Sequence, residues 1–302
     1  MKSGTISGWT KTTSTDWVMD KLGCMHYLIF LDVDGTVVDY HNRIPTSAQK
    51  AISSARAHQH RVYLCTGRSK AEVYPELLEL GIDGLICGNG SYVEDATAMG
   101  TPEVVFEQTL SSKQCSEVVA WLTARNLPFY LECNAGLFGS ADFLTGAQAA
   151  IHAYSKSKGN LMTVEQAFPE MIFGAELERP DVNKISFILR SYQDHLDATR
   201  AFPDLISGTW GGRGAEALFG DLGVPNISKA NAIAKLLEHR GVDRTATIAV
   251  GDAKVDISML EYCRIGIAMG NASSDVKAIA DYITDDVEKD GLYNAFAHYK
   301  LL

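Results

Sequence analysis

From His26 onward, near-continuous apolar runs alternate with amphipathic stretches. His26 to Val33 reads HYLIFLDV, a run that suits a strand buried on both faces of a parallel sheet. Thr46-Ser47-Ala48-Gln49 after Pro45 reads as a capping box, and Ala48, Ile52 and Ala55 give the helix it opens one apolar stripe. RVYLC, from Arg61 to Cys65, is a second strand, and Ser69-Lys70-Ala71-Glu72 opens a second capped helix that stops at Gly81. A third strand, Gly84 to Cys87, runs into Gly88-Asn89-Gly90. This alternation predicts a doubly wound, Rossmann-like α/β core whose ligands bind beyond the carboxyl ends of its strands.

Between about Val93 and Gly211 the pattern changes to short strands of alternating polarity, at 103–108, 128–133, 136–141, 183–190 and 205–210. Asn134-Ala135-Gly136 makes a hairpin-type turn. Helices fit Ser111 to Arg125, Thr145 to Lys158 and His195 to Phe202. An antiparallel sheet with helices on one face is predicted, as an inserted α+β domain. The doubly wound pattern then resumes with a helix from Ser228 to Arg240, a buried strand from Thr245 to Val250 and a short strand from Ile265 to Met269. The core is therefore expected at 25–93 plus 212–302, with the insertion at 94–211.

Length and charge narrow the function. A chain of 302 residues has room for two domains. With 27 Lys+Arg against 37 Asp+Glu the net charge is −10, and no dense basic run occurs, which argues against a nucleic-acid or anionic-membrane partner. A small anionic substrate stays compatible, because a local cationic pocket or a metal can supply the charge. No apolar run approaches the length of a membrane helix. Six widely spaced cysteines without a Cys-x-x-Cys pair read as reduced thiols in a cytoplasmic protein, and no His-Glu-x-x-His pattern suggests zinc. The first 24 residues, rich in Ser, Thr and Gly, read as an extension outside the core.

Candidate chemistry collects at strand exits. In Asp32-Val33-Asp34-Gly35-Thr36 the two-residue spacing sends both carboxylates to one side of an extended chain, where they can share the work of nucleophile and proton shuttle; an acidic turn would look the same. Thr66-Gly67-Arg68 offers a hydroxyl and backbone N–H groups to a phosphate oxygen. Lys229 stands in the first turn of its helix, against the dipole, so it is either recruited toward an anion or simply solvated. Asp252 and Asp256, just past a buried strand, fit a Mg²⁺ site, or else an acidic helix start. Four carboxylates cannot converge without a divalent cation, and the remaining positive groups suit phosphate. Gly211-Gly212-Arg213-Gly214 lacks the strand and helix of a dinucleotide-binding unit and reads as the hinge back to the core.

DVDGT, TGR, the ISKANAI stretch around Lys229 and GDAKVDISML, in that order, resemble the four motifs of the haloacid dehalogenase superfamily of phosphatases, in its Cof-type branch. The likeness continues through Gly266 to Ala272 and Asp290-Gly291; Val255 stands where that branch usually has Asn. Only a turn and a helix fit between Asp32 and Thr66, so the insertion must fall between Thr66 and Lys229, as in relatives with a large α/β cap. The resemblance implies a Mg²⁺-dependent phosphatase: Asp32 as nucleophile, Asp34 as acid and base, Thr66, Gly67 and Lys229 on the phosphoryl group, and Asp32, Asp34, Asp252 and Asp256 around the metal. Gly35, Arg68, Asn89 and Asn271 would support the site or touch substrate. It implies as substrate a small phosphorylated metabolite such as a sugar phosphate, and a monomer or small homo-oligomer is expected. A phosphomutase or phosphotransferase would use the same residues, and a silent ligand-binding relative is the third possibility. Tyr130, Glu132, Asn134 and Lys184 are cap positions that could face the site.

Overall fold

A computed structural model of the protein describes residues 25–96, 101–157, 161–212 and 214–302. The 24-residue extension lies outside the described residues. The strands are β1 (Leu28–Leu31), β2 (Arg61–Cys65), β3 (Gly84–Cys87), β4 (Tyr92–Ala96), β5 (Pro102–Glu107), β6 (Phe129–Cys133), β7 (Leu137–Gly139), β8 (Met171–Phe173), β9 (Val182–Ile188), β10 (Ile206–Trp210), β11 (Phe219–Gly223), β12 (Thr247–Gly251), β13 (Ile265–Ala268) and β14 (Tyr282–Ile283).

One sheet of eight strands runs β14-β13-β12-β1-β2-β3-β4-β5. It is parallel from β14 to β3 and antiparallel at β4 and β5. β1 lies in the middle, and its four residues are all buried because alternate side chains feed two cores. Ile29 and Leu31 pack with the helices Thr46–Ala57 and Gly291–His298. Leu28 and Phe30 pack on the other face with Lys229–Arg240 and Ile257–Tyr262. The predicted doubly wound core is therefore present.

The second sheet runs β10-β11-β9-β6-β7-β8 and is antiparallel except where β7 meets β8. Phe129, Leu131 and Cys133 face the helices Ser112–Ala124 and Tyr192–Ala201. Helices were expected on one face alone. Tyr130, Leu137, Ile188 and Phe219 point the other way, however, and one end of that face is covered by Phe143, Ala147 and Ile151.

The expected boundaries at 93/94 and 211/212 both lie further along the chain than the sequence suggested. β4 and β5 both belong to the core sheet, since Val93 pairs with Ile86 and with Phe106. The chain crosses at 108–110, where Gln108 N–H donates to Ser91 C=O and Leu110 N–H to Val182 C=O. It returns only after β11, which pairs with β9, so the glycines Gly211, Gly212 and Gly214 connect β10 to β11 inside the insertion rather than forming a hinge; Arg213 lies outside the described residues. The helix expected from Ser69 to Gly81 is instead a 3₁₀ turn, Lys70–Glu72, and a four-residue helix, Pro75–Leu78. Pro75 holds Tyr74 extended and interrupts it. Ser69 and Glu72 do form the reciprocal cap, whereas the helix at Thr46 has no side-chain cap.

Candidate active site

β1 leads into Asp32, whose N–H donates to Val250 C=O on the neighbouring β12. Its carboxylate meets Lys229, brought from the far side of the insertion. Ser228 caps the helix Lys229–Arg240 by accepting from Asn231 N–H, which puts Lys229 at the first helical position, pointing into the sheet end. Lys229 is 1% exposed, and its Nζ donates to Asp32 Oδ1, Asp256 Oδ1 and Cys65 C=O, each at 2.6 Å. All three ammonium protons are thus used. Burial works against the charge, yet Asp32 and Asp256 hold the Lys229 pKa well above the ordinary lysine range. Burial and Asp256 push the Asp32 carboxyl well above its usual range, with Lys229 drawing it back.

At the exit of β12 the backbone is threaded closely around carboxylates. A Cβ at Gly251 would lie 2.6 Å from Asp256 Oδ2, and one at Gly35, where φ is +88°, would lie 2.5 Å from Asp252 Oδ2. Asp256 Oδ2 accepts from Asp252 N–H at 3.0 Å and Ala253 N–H at 2.9 Å, so both of its oxygens are engaged. Asp252 Oδ2 accepts from Asn271 Nδ2 at 3.1 Å, while Asp252 Oδ1 is buried without a hydrogen-bond partner. Burial and Asp256 push the Asp252 carboxyl up to about 7. Asn271 also donates to Gly35 C=O at 2.9 Å and accepts from Val287 N–H, tying the β13 exit to the β1 loop.

Carboxylate oxygens of Asp32, Asp252 and Asp256 lie within 4.8 Å of one another. Three hard oxygen donors, one of them orphaned in a buried position, fit a small divalent cation. Among the three, Asp256 is the most occupied by the protein itself and is suited to orienting its neighbours rather than to leading the coordination.

Asp34 stands apart, turned toward the exit of β2. Arg68 grips it with Nη2–Oδ1 at 2.6 Å and Nε–Oδ2 at 2.9 Å, and reaches Asn42 Oδ1 at 3.3 Å and Glu72 C=O at 3.3 Å. Thr66 is 1% exposed and accepts from Arg68 N–H. A Cβ at Gly67 would lie 3.1 Å from Asn89 Oδ1, and that oxygen is buried and unpartnered, so Gly67 and Asn89 form one corner of the site. Every residue proposed from the motifs is therefore at the carboxyl ends of β1, β2, β3, β12 and β13. The Cys65 carbonyl, Asn42 and Gly251 were not foreseen. Only Gly251 carried a signal, its place before Asp252. Val255 is 53% exposed beside Asp256.

Carboxylates, one buried ammonium and orphaned oxygen acceptors at the ends of a doubly wound sheet, under an inserted second sheet, define a capped phosphoryl-transfer hydrolase. The family profile described as haloacid dehalogenase-like hydrolase matches residues 29–296, and the chain belongs to that family as a Cof-type phosphatase. YkrA of Bacillus subtilis (strain 168), which carries a provisional phosphatase name, is 29% identical over 91% of this chain and 98% of its own. The 5-amino-6-(5-phospho-D-ribitylamino)uracil phosphatase YcsE of the same organism is 27% identical over 91% of this chain and 96% of its own. The subclass IIB sugar phosphatase BT4131 superposes with a TM-score of 0.70 at 25% identity, covering 91% of this chain and 100% of that one.

Proposed function

We infer that the chain is a Mg²⁺-dependent phosphomonoester hydrolase that works on small phosphorylated metabolites in the cytoplasm through an aspartyl-phosphate at Asp32. The observation that carries this reading is the Lys229 ammonium bonded at once to Asp32 and Asp256, beside an orphaned Asp252 oxygen. Lys229 occupies Asp32 Oδ1 and leaves Oδ2 to attack phosphorus. As the Asp32–phosphorus bond forms and the ester oxygen leaves, Asp34 donates a proton to that oxygen; it then takes one from the water that releases phosphate. Arg68 holds the resting Asp34 carboxylate through both of its oxygens, and one of them leaves that fork when Asp34 carries the proton. Thr66 and Gly67 receive the phosphoryl oxygens as their charge grows, and Lys229 gives up one of its three resting hydrogen bonds to do the same. Asp32, the Asp34 carbonyl and Asp252 would hold Mg²⁺, with Asp256 behind them, and the ion would screen the nucleophile from the phosphate.

The named substrates of YcsE and BT4131 support the choice of small phosphorylated compounds. Buried free thiols at Cys65, Cys87, Cys115, Cys133 and Cys263 support the cytoplasmic reading. No helix among the described residues is long and apolar enough to cross a membrane. Release of phosphate from p-nitrophenyl phosphate with Mg²⁺, lost in Asp32→Asn, is the expected result. Full activity in Asp32→Asn would remove Asp32 as nucleophile.

A further inference from the structure

The inserted sheet turns an unusual set of charges toward the catalytic loop. Glu132 on β6, Ser186 and Lys184 on β9 and Asp221 on β11 are neighbours by register, since Glu132 pairs with Lys184, and Ser186 pairs with both Tyr130 and Asp221. Lys184 Nζ lies 3.1 Å from Glu132 Oε2 and 3.9 Å from Asp221 Oδ2, and Ser186 Oγ donates to Glu132 Oε1 at 2.6 Å. On β10 a Cβ at Gly208 would lie 2.6 Å from Asp221 Oδ1, so the glycine makes room for that carboxylate. The fourth charge comes from the core. Glu72, four residues past Arg68, is fixed by Ser69 N–H and Oγ on its Oε2, and is near enough to act electrostatically on Glu132, Lys184 and Tyr130. Arg68 bonds the Glu72 carbonyl while gripping Asp34, so one arginine links this corner to the proton-transfer side of the site.

Three carboxylates thus surround one ammonium. Burial pushes the Glu132 carboxyl up to about 7 against the pull of Lys184, with Glu72 and Asp221 adding to the rise. Lys184, although it lines the corner, is already matched by Glu132 and Asp221 and has no charge to offer an incoming anion.

We propose that Glu72, Glu132, Lys184 and Asp221 select the leaving group by charge, admitting alcohols that are uncharged or carry an amine and rejecting those that carry a carboxylate or a second phosphate. Fixed carboxylates accept hydrogen bonds from hydroxyls and ammonium groups, whereas a like charge brought against them is repelled. The inference rests on the phosphatase reading and deepens it.

Three substrates of matched size test it: glucose 6-phosphate, glucosamine 6-phosphate and 6-phosphogluconate. In the unaltered protein with Mg²⁺, kcat/KM for the first two is expected to exceed that for 6-phosphogluconate by about tenfold or more. In Asp221→Asn the ratio is expected to fall by about threefold to tenfold, mainly through KM for 6-phosphogluconate; a ratio within one preparation is unaffected by a general loss of active protein. Equal or better turnover of 6-phosphogluconate by the unaltered protein, with p-nitrophenyl phosphate hydrolysed normally, overturns the charge selection and leaves the phosphatase reading standing. A ratio unmoved in both Asp221→Asn and Glu132→Gln overturns the assignment to these residues. No phosphate release from any of the four compounds overturns both readings.

Discussion

Gly35 and Asp252 approach so closely that a single methyl group at residue 35 would sit 2.5 Å from the Asp252 carboxylate. The same glycine has φ +88°, and its carbonyl accepts from Asn271, which also holds Asp252. Gly35→Ala therefore strains the backbone and displaces the carboxylate with the orphaned oxygen. A Mg²⁺ titration of activity should show affinity lower by about 10–100-fold. Unchanged Mg²⁺ dependence would show that Asp252 does not lead the coordination.

Among the described residues, Lys229 alone is bonded to both of the buried carboxylates Asp32 and Asp256. Lys229→Met leaves both uncompensated and should cost about 3–5 kcal/mol in urea unfolding as well as abolishing turnover. Mg²⁺ should recover part of that stability, because it neutralises the same pair. A variant as stable as the parent in the absence of metal would contradict the geometry.

Arg68 holds Asp34 with two parallel hydrogen bonds, a fork that lysine cannot reproduce. Arg68→Lys and Arg68→Ala should each lower kcat by about 10–100-fold and alter the pH profile of kcat, since the residue positions an acid rather than binding substrate. Full kcat in Arg68→Lys would reduce the grip to a resting contact.

His60 lies at the opposite end of β2 from the chemistry and contributes to the pH dependence of folding. Burial, with His26 and His58 nearby, depresses it from 6.5 to about 4, and its Nδ1 accepts from Tyr27 N–H. The neutral ring is the form the fold keeps, so its contribution is intact above pH 6.5 and fades as pH falls toward 4. About 3 kcal/mol should be lost across that window. Urea midpoints for the parent and His60→Gln should converge at low pH; parallel curves would exclude His60.

Much of the core was readable because each parallel strand is an apolar run that stops at a polar residue with work to do, as β1 stops at Asp32 and β12 at Gly251-Asp252. Where the reading failed, a local pattern could not report on a partner. EVVFEQ is a strand in sequence and in structure, but alternation alone does not say that β5 pairs with β4 of the core. β8 is three residues long, and FGDLG, which forms β11, has the glycines of a loop. The charge of Lys184 was visible, but its neutralisation by Glu132 and Asp221 depends on strand register. Asp32, Asp34, Lys229, Asp252 and Asp256 stood out because turns and helix starts seldom need those groups in that order.

The central position of β1 also sets an order of events at the ribosome. One neighbour, β2, follows soon after it, whereas the other, β12, is made only after the whole insertion. The second sheet can close while LIFL still lacks half of its hydrogen bonds, so a wholly apolar strand waits with an open edge until β12 is made. Slow or halted synthesis beyond β11 would leave that edge available to other chains, making translation speed through the last quarter of the message a determinant of yield.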